Sequence, residues 1–273
     1  SDNFDQAVSL TSQGEVTLSD DMAARGIRLI TAVSPSIFYM GFNMLDPLVG
    51  GDGTPEGAER ARKLRQAISI ALDMEEFVSI FLNGRGVPAM HPIPPGIFGA
   101  REGEAGINPV VFEWRNGEAV RRGKDVARRL LAEAGWPNGR NAQTGEALII
   151  NLDTTPGGLG DKARSDWLAK QFRELGVQFV VRATDWNRFQ EKLRNGNAQL
   201  FFLGWNADYP DPENLLFLLH GAQGKVKFSG QNAANYQNDE YDRLFGKMKA
   251  MPDGPERQAI IDRMVAIAQH DAP

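Results

Sequence analysis

Hydrophobic positions in this chain change period several times, and each change marks an element. Ala61, Leu64, Ile68, Ala71 and Leu72 recur at spacings of three and four, which predicts a helix from Glu56 onward. Asp73 with Glu76 has the form of a capping box and restarts a second helix through Phe77, Val78 and Phe81, which Asn83-Gly84 ends. Beyond residue 123 the pattern becomes regular. A helix over 124–134 stops at Gly135, a strand covers 147–153, and a helix over 161–175 stops at Gly176. A strand over 177–183 leads to Asp185 as N-cap of a helix over 186–195, and a further strand spans 198–204. The remaining segments, 212–220, 239–250 and 255–270, read as helices. Strands alternating with helices over short links predict an α/β layer.

The other parts are less regular. The first 48 residues read as strands and loops, with β-rich runs at 27–33 and 37–43. Gly50-Gly51-Asp52-Gly53-Thr54-Pro55 reads as a flexible connector. Prolines 88, 92, 94 and 95 exclude helix and central strand from 87–99. Residues 100–123 show no clear period and read as a surface insertion. The chain therefore divides into a β-rich entry segment (1–48), helices with a proline loop and insertion (49–123), and an α/β core with closing helices (124–273). Ser1-Asp2-Asn3 opens in polar sequence without a signal peptide, and both ends look cut, as in a piece of a longer protein.

Composition narrows the function classes. With 35 acidic against 30 basic residues the net charge is −5, which argues against a nucleic-acid surface. The basic clusters at 60–65 and 121–129 read as solvated helix faces. No cysteine is present, so disulfides, thiolate zinc sites and cysteine nucleophiles are excluded. His91, His220 and His270 lack metal-ligand spacing and show no pairing with a catalytic Ser or Asp motif. Gly157-Gly158-Leu159-Gly160-Asp161-Lys162 lacks the ending of a phosphate loop and reads as a plain turn. No cofactor and no metal are called for.

Candidate chemistry concentrates at 201–217, where an apolar strand runs into Gly204-Trp205-Asn206-Ala207-Asp208-Tyr209 and Pro210-Asp211-Pro212-Glu213 opens a helix. A carboxylate beside an indole face suits an ammonium ion, with cation–π attraction to the ring adding ~0.5–2 kcal/mol when the pair is desolvated. The same residues also read as a core tryptophan and a turn aspartate. Asp211 reads as the helix N-cap, with Pro212 and Glu213 as the first helical positions. Trp186 begins the preceding helix. If strand 198–204 is central, that helix start falls at the opposite end from the strand's exit, so core packing is the plainer reading.

Several landmarks in order resemble the family 5 extracellular solute-binding proteins, the dipeptide, oligopeptide and nickel receptors of ABC importers. They are Gly41-Phe42-Asn43, then Leu64-Arg65-Gln66-Ala67-Ile68-Ser69-Ile70-Ala71-Leu72-Asp73. The loop Gly84-Arg85-Gly86-Val87-Pro88-Ala89 with Pro92-Ile93-Pro94-Pro95-Gly96 follows, and after it come residues 127–137 (ARRLLAEAGWP). Residues 204–212 match "G-W-x-A-D-Y-x-D-P", and 238–244 with 257–273 match the closing helices. The resemblance runs from about residue 37 to the end. It implies a type II periplasmic-binding-protein-like lobe of α/β (α+β) class, a small β-sheet with helices packed on it. The lobe would be the C-terminal one, lacking its N-terminal partner lobe and the segment returning to it.

By position, Asp208 corresponds to the carboxylate that holds a peptide's α-ammonium group. Trp205, with Gly204 and Asn206, corresponds to the strand end lying against the ligand backbone. Trp186 corresponds to an aromatic lining a side-chain pocket, and Phe202 stands where the oligopeptide receptor has a cation. The implied protein is no enzyme but a periplasmic or extracytoplasmic receptor for a peptide-like or other small solute, working with an ABC permease, with a signal peptide upstream. A solute-sensing domain of a transcriptional regulator and a carboxylate-dependent hydrolase are the alternative readings.

Overall fold

A computed structural model describes residues 8–11 and 16–273. The polar opening Ser1-Asp2-Asn3 and part of the entry segment lie outside the described residues. The chain forms two compact units, Ser1–Ser34 with Asp73–Ala89, and Pro35–Leu72 with Met90–Pro273.

In the first unit, β1 (Val8–Leu10) pairs antiparallel with β2 (Val16–Leu18), and a short helix α1 (Asp20–Ala24) follows. The β-rich run at 27–33 is not a strand. No strand among the described residues pairs with it, and Ile30 is 88% exposed. β-propensity describes a fit to a pleated, half-buried surface, and this run has no such surface.

The second unit opens with β3 (Ser36–Phe42) and α2 (Pro55–Ala71), which starts one residue before the predicted Glu56, with Thr54 of the expected connector capping the Gly57 N–H. Asp73 caps α3 (Met74–Leu82), a helix of the first unit, through the Glu76 N–H at 2.9 Å. The supposed insertion contains a hairpin, β4 (Phe112–Arg115) and β5 (Glu118–Arg121). Its turn is Asn116-Gly117, both at positive φ (53° and 85°), the two-residue turn that suits strand twist. Then come α4 (Lys124–Glu133), β6 (Ile149–Thr154), α5 (Lys162–Arg173), β7 (Gln178–Ala183), α6 (Trp186–Arg194) and β8 (Leu200–Asn206). The chain closes with α7 (Glu213–Leu216), α8 (Lys225–Phe228), α9 (Asp239–Met248) and α10 (Pro255–Asp271).

The sheet has the order β3-β8-β6-β7, with β6 parallel to both β7 and β8 and β3 antiparallel to β8. The main core cluster joins Phe201 of β8, Phe189 and Leu193 of α6, Leu215 of α7, Tyr241 and Phe245 of α9, and Ile261 and Met264 of α10. Ile93 and Ile97 of the proline loop plug into it. One basic cluster departs from its solvated reading. Arg65 is only 3% exposed and donates to the carbonyls of Val49, Asp271 and Ala272, so its guanidinium satisfies the C-terminal end of α10.

Candidate functional site

The site is built on β8, because β8 outlasts the strand beside it. The parallel register pairs Asp153 with Phe201, and β6 ends at Thr154, while β8 continues to Asn206. Trp205 and Asn206 thus extend the strand that the sequence ends at Gly204, and among the described residues only β3 flanks this stretch.

Hydrogen bonds at either end of the β3–β8 pair fix which way the peptide groups point. Asn43 N donates to Gln199 O at 2.9 Å, and Ala207 N donates to Pro35 O at 2.8 Å. Odd-numbered residues of β8 therefore aim their N–H and C=O at β3, and Gly204 and Asn206 aim theirs the other way. No strand of the described residues lies alongside them there. The result is an open strand edge with backbone donors and acceptors facing outward.

Side chains alternate correspondingly. Phe201, Leu203, Trp205 and Ala207 turn toward the core cluster, while Phe202 stacks on Phe38 of β3 on the opposite face. Trp205 is half-buried and meets Phe217 edge to face at 5.1 Å. Its indole N–H donates to Asn214 Oδ1 at 3.1 Å, and the same oxygen accepts the backbone N–H of Asp208 at 2.8 Å. Asn214 is 5% exposed, so one buried amide fixes both the indole and the turn that carries the carboxylate. The Asp208 side chain is exposed, with one contact of 3.4 Å from Asn214 Nδ2 to Oδ2. It is neither sealed in the fold nor consumed by the turn.

Asp211 stands one residue before the N-cap, which is Pro212 and not Asp211 as the sequence suggests, yet its Oδ1 still accepts the Glu213 N–H at 2.8 Å. It also takes a two-pronged ion pair from Arg257 of α10 at 2.9 and 2.7 Å. Partial burial works to raise the Asp211 pKa, but the guanidinium hydrogen bonds and the Glu213 N–H outweigh it and hold the carboxyl below the usual range. The loop after β8 is thereby anchored to the last helix.

Trp186 corrects the sequence reading in two respects. Because β6, β7 and β8 are parallel, α6 begins at the end of the sheet where β8 finishes, not at the opposite end. Trp186 is also 58% exposed rather than a core residue, its ring 6.0 Å from that of Phe189. Trp186 and Trp205 therefore share one end of the sheet and the face that carries α6.

Sequence reasoning missed Asn214, Phe38 and a charged group beneath α6. Asp153 is fully buried and is paired with Arg182 of β7 and with Lys192 of α6, the latter at 2.6 Å. Nothing in the spacing announces this triad, which depends on register across three elements. Among the described residues no cluster of His, Cys, Asp and Glu could hold a metal ion, and no helix is long and apolar enough to cross a membrane.

Comparison with known proteins gives the arrangement its context. Residues 4–226 match the model of the bacterial extracellular solute-binding proteins, family 5 Middle. Among curated relatives, the heme-binding protein A of Haemophilus influenzae is 24% identical over 212 residues, covering 77% of this chain and 35% of that protein. The di/tripeptide-binding protein 4 of Pseudomonas aeruginosa is 27% identical over 195 residues, covering 71% of this chain and 33% of that protein. The chain spans about a third of the length of these relatives. Among solved structures, the Helicobacter pylori periplasmic binding protein DppA in complex with the peptide STSA aligns over 88% of this chain and 40% of its own. The TM-score is 0.68 at 21% identity. NikZ of Campylobacter jejuni in complex with Ni(L-His) aligns over 88% and 44%, with a TM-score of 0.66 at 19% identity. The fold is that of the type II periplasmic binding proteins, a mixed α/β lobe with a small sheet.

Proposed function

The chain belongs to the bacterial extracellular solute-binding proteins, family 5, and from that premise we propose that residues 1–273 form one lobe of a two-lobed receptor that captures a peptide-like solute for an ABC importer. The chain supplies the C-terminal ligand-binding lobe, and a further lobe of the same protein closes over the solute. The receptor works outside the cytoplasm, delivers to a membrane permease, and acts by binding and not by turnover. Relatives named for heme and for di- and tripeptides, and a similar structure in complex with Ni(L-His), mark the range of solutes to which a peptide-like one belongs.

The observation that carries this choice is the juxtaposition of an exposed carboxylate with an open strand edge. Asp208 lies two residues beyond Asn206, whose peptide groups face outward with those of Gly204. An extended peptide offers the complement, an α-ammonium group at one end and a repeating N–H and C=O pattern along its length. Strand addition uses those main-chain bonds for affinity. The ammonium then pairs with Asp208, and Trp205 and Trp186 border the face toward α6. Lobe closure removes water from the ion pair and strengthens it.

The test is titration calorimetry on the full-length receptor with short unmodified peptides and their N-acetylated forms. Asp208→Asn and N-acetylation should each weaken binding by at least about tenfold, about 1.4 kcal/mol or more. They should not add when combined, because both remove the same pair. Equal affinity of acetylated and free peptides would remove Asp208 from the site.

A further inference from the structure

The β3–β8 ribbon has a second face, turned away from the core cluster, and its surface is aromatic. Phe38 is 64% exposed. Its ring lies nearly parallel to that of Phe202, with centroids 6.2 Å apart and 21° between planes. It also extends across β8 onto Gly204, where an added Cβ would lie 2.5 Å from the Phe38 Cδ1 and Cε1 atoms. The ring therefore occupies the space a side chain at 204 would fill, at the residue whose peptide groups face the open edge. Ser36, Met40 and Asn206 lie on the same face of the ribbon beside the rings, and none of them carries a charge.

An extended chain laid along Gly204 and Asn206 projects its side chains alternately to the two faces of the sheet. Those on one side meet the face of Trp205. Those on the other fall against Phe38 and Phe202, two rings already held flat against each other. Covering them removes apolar surface from water on both partners.

We propose, building on the peptide reading of the Asp208 site, that Phe38 and Phe202 form a shelf that selects solutes by an apolar side chain. The solute class is then a short peptide with a free amino end and an aromatic or large aliphatic residue within its first four positions. The position follows from spacing. Gly204 lies about 7 Å along the strand from Asn206, the last residue of β8, and Asp208 follows in the bend beyond it, so a peptide anchored by its ammonium group at that bend reaches the shelf between its second and fourth residues. Gly204 is a specificity-determining position because it leaves room for the ring.

The experiment measures dissociation constants of the full-length receptor for tetra-alanine and for the three variants with Phe at position 2, 3 or 4. One of these positions should bind about tenfold tighter than tetra-alanine, as expected for covering a ring of this size. Phe38→Ala should reduce that preference to about twofold or less. Gly204→Ala should also abolish the preference by displacing the ring, even with Phe38 present. Melting temperatures near that of the unmodified receptor check that both variants fold. A flat profile across the four peptides, or a preference that survives both variants, overturns the shelf. If tetra-alanine still binds and depends on Asp208, the receptor reading stands without it. Binding of none of the peptides overturns both.

Discussion

The indole nitrogen of Trp205 and the side-chain oxygen of Asn214 lie 3.1 Å apart, and that oxygen also takes the backbone N–H of Asp208. One buried acceptor thus sets the position of the ring and of the turn that presents the carboxylate. Replacing Asn214 with Leu leaves the indole N–H and the Asp208 N–H without their partner. A loss of about 2 kcal/mol in urea unfolding is expected, together with a change in Trp205 fluorescence. Unchanged stability would mean that water fully replaces the amide.

The pair Arg257–Asp211 should respond to acid. Arg257 is 3% exposed and Asp211 about a third exposed, so the pair is only partly screened. Its Asp211 carboxyl titrates below the ordinary range in the folded state. The stability it contributes is therefore present above the unfolded pKa and lost as pH falls through the folded one. Arg257→Met should cost about 2 kcal/mol at neutral pH. The cost should shrink as the pH falls through the depressed Asp211 pKa, where the carboxylate loses its charge. A cost independent of pH would assign the effect to packing and to the Met248 carbonyl bond of Arg257.

For the triad around the buried Asp153, the order of the variants is informative. Asp153 is the common partner of Arg182 and Lys192, so Asp153→Leu leaves two cations facing each other. Lys192→Met leaves one compensated pair. Asp153→Leu should destabilise by about 3 kcal/mol and Lys192→Met by about 1 kcal/mol. Combining Asp153→Leu with Arg182→Met and Lys192→Met should recover most of the loss, since no charge of the triad then remains buried. Thermal unfolding of the three proteins decides it.

Gly41 sets a packing limit on β3. A Cβ at this position would overlap the ring of Phe201, which has no exposed surface. Gly41→Ala should cost about 2 kcal/mol by forcing the ring off its rotamer. Gly41→Ala with Phe201→Leu should regain part of it. Additive losses in urea unfolding would place the strain elsewhere.

Much of the fold was legible in the sequence because its signals are local. Asp185 caps α6 through the Arg188 N–H at 3.1 Å, and Asp73 caps α3, as their spacing predicts. Apolar periodicity located each strand of the α/β core to within about two residues. What escaped depends on long-range pairing. The run at 27–33 has the composition of a strand but no partner strand among the described residues. The hairpin at 112–121 was hidden by its charges although Asn116-Gly117 signals it. Arg65 looks like surface among its neighbours and is buried by the carbonyls at the end of α10. At the candidate site, Asp208 and Trp205 stood out by type, whereas Phe38 acquires its position only from the β3–β8 register. The end of the sheet that holds Trp186 followed from parallel pairing, which spacing alone did not fix.

Main-chain amides cannot be mutated away, since every residue but proline brings the same pair of them. In the proposed receptor β8, by running on past Thr154, would entrust its grip to atoms common to nearly every amino acid. Drift at 204 and 206 can therefore retune what neighbouring rings prefer while the handhold itself persists. One scaffold can change its taste without having to reinvent its grasp.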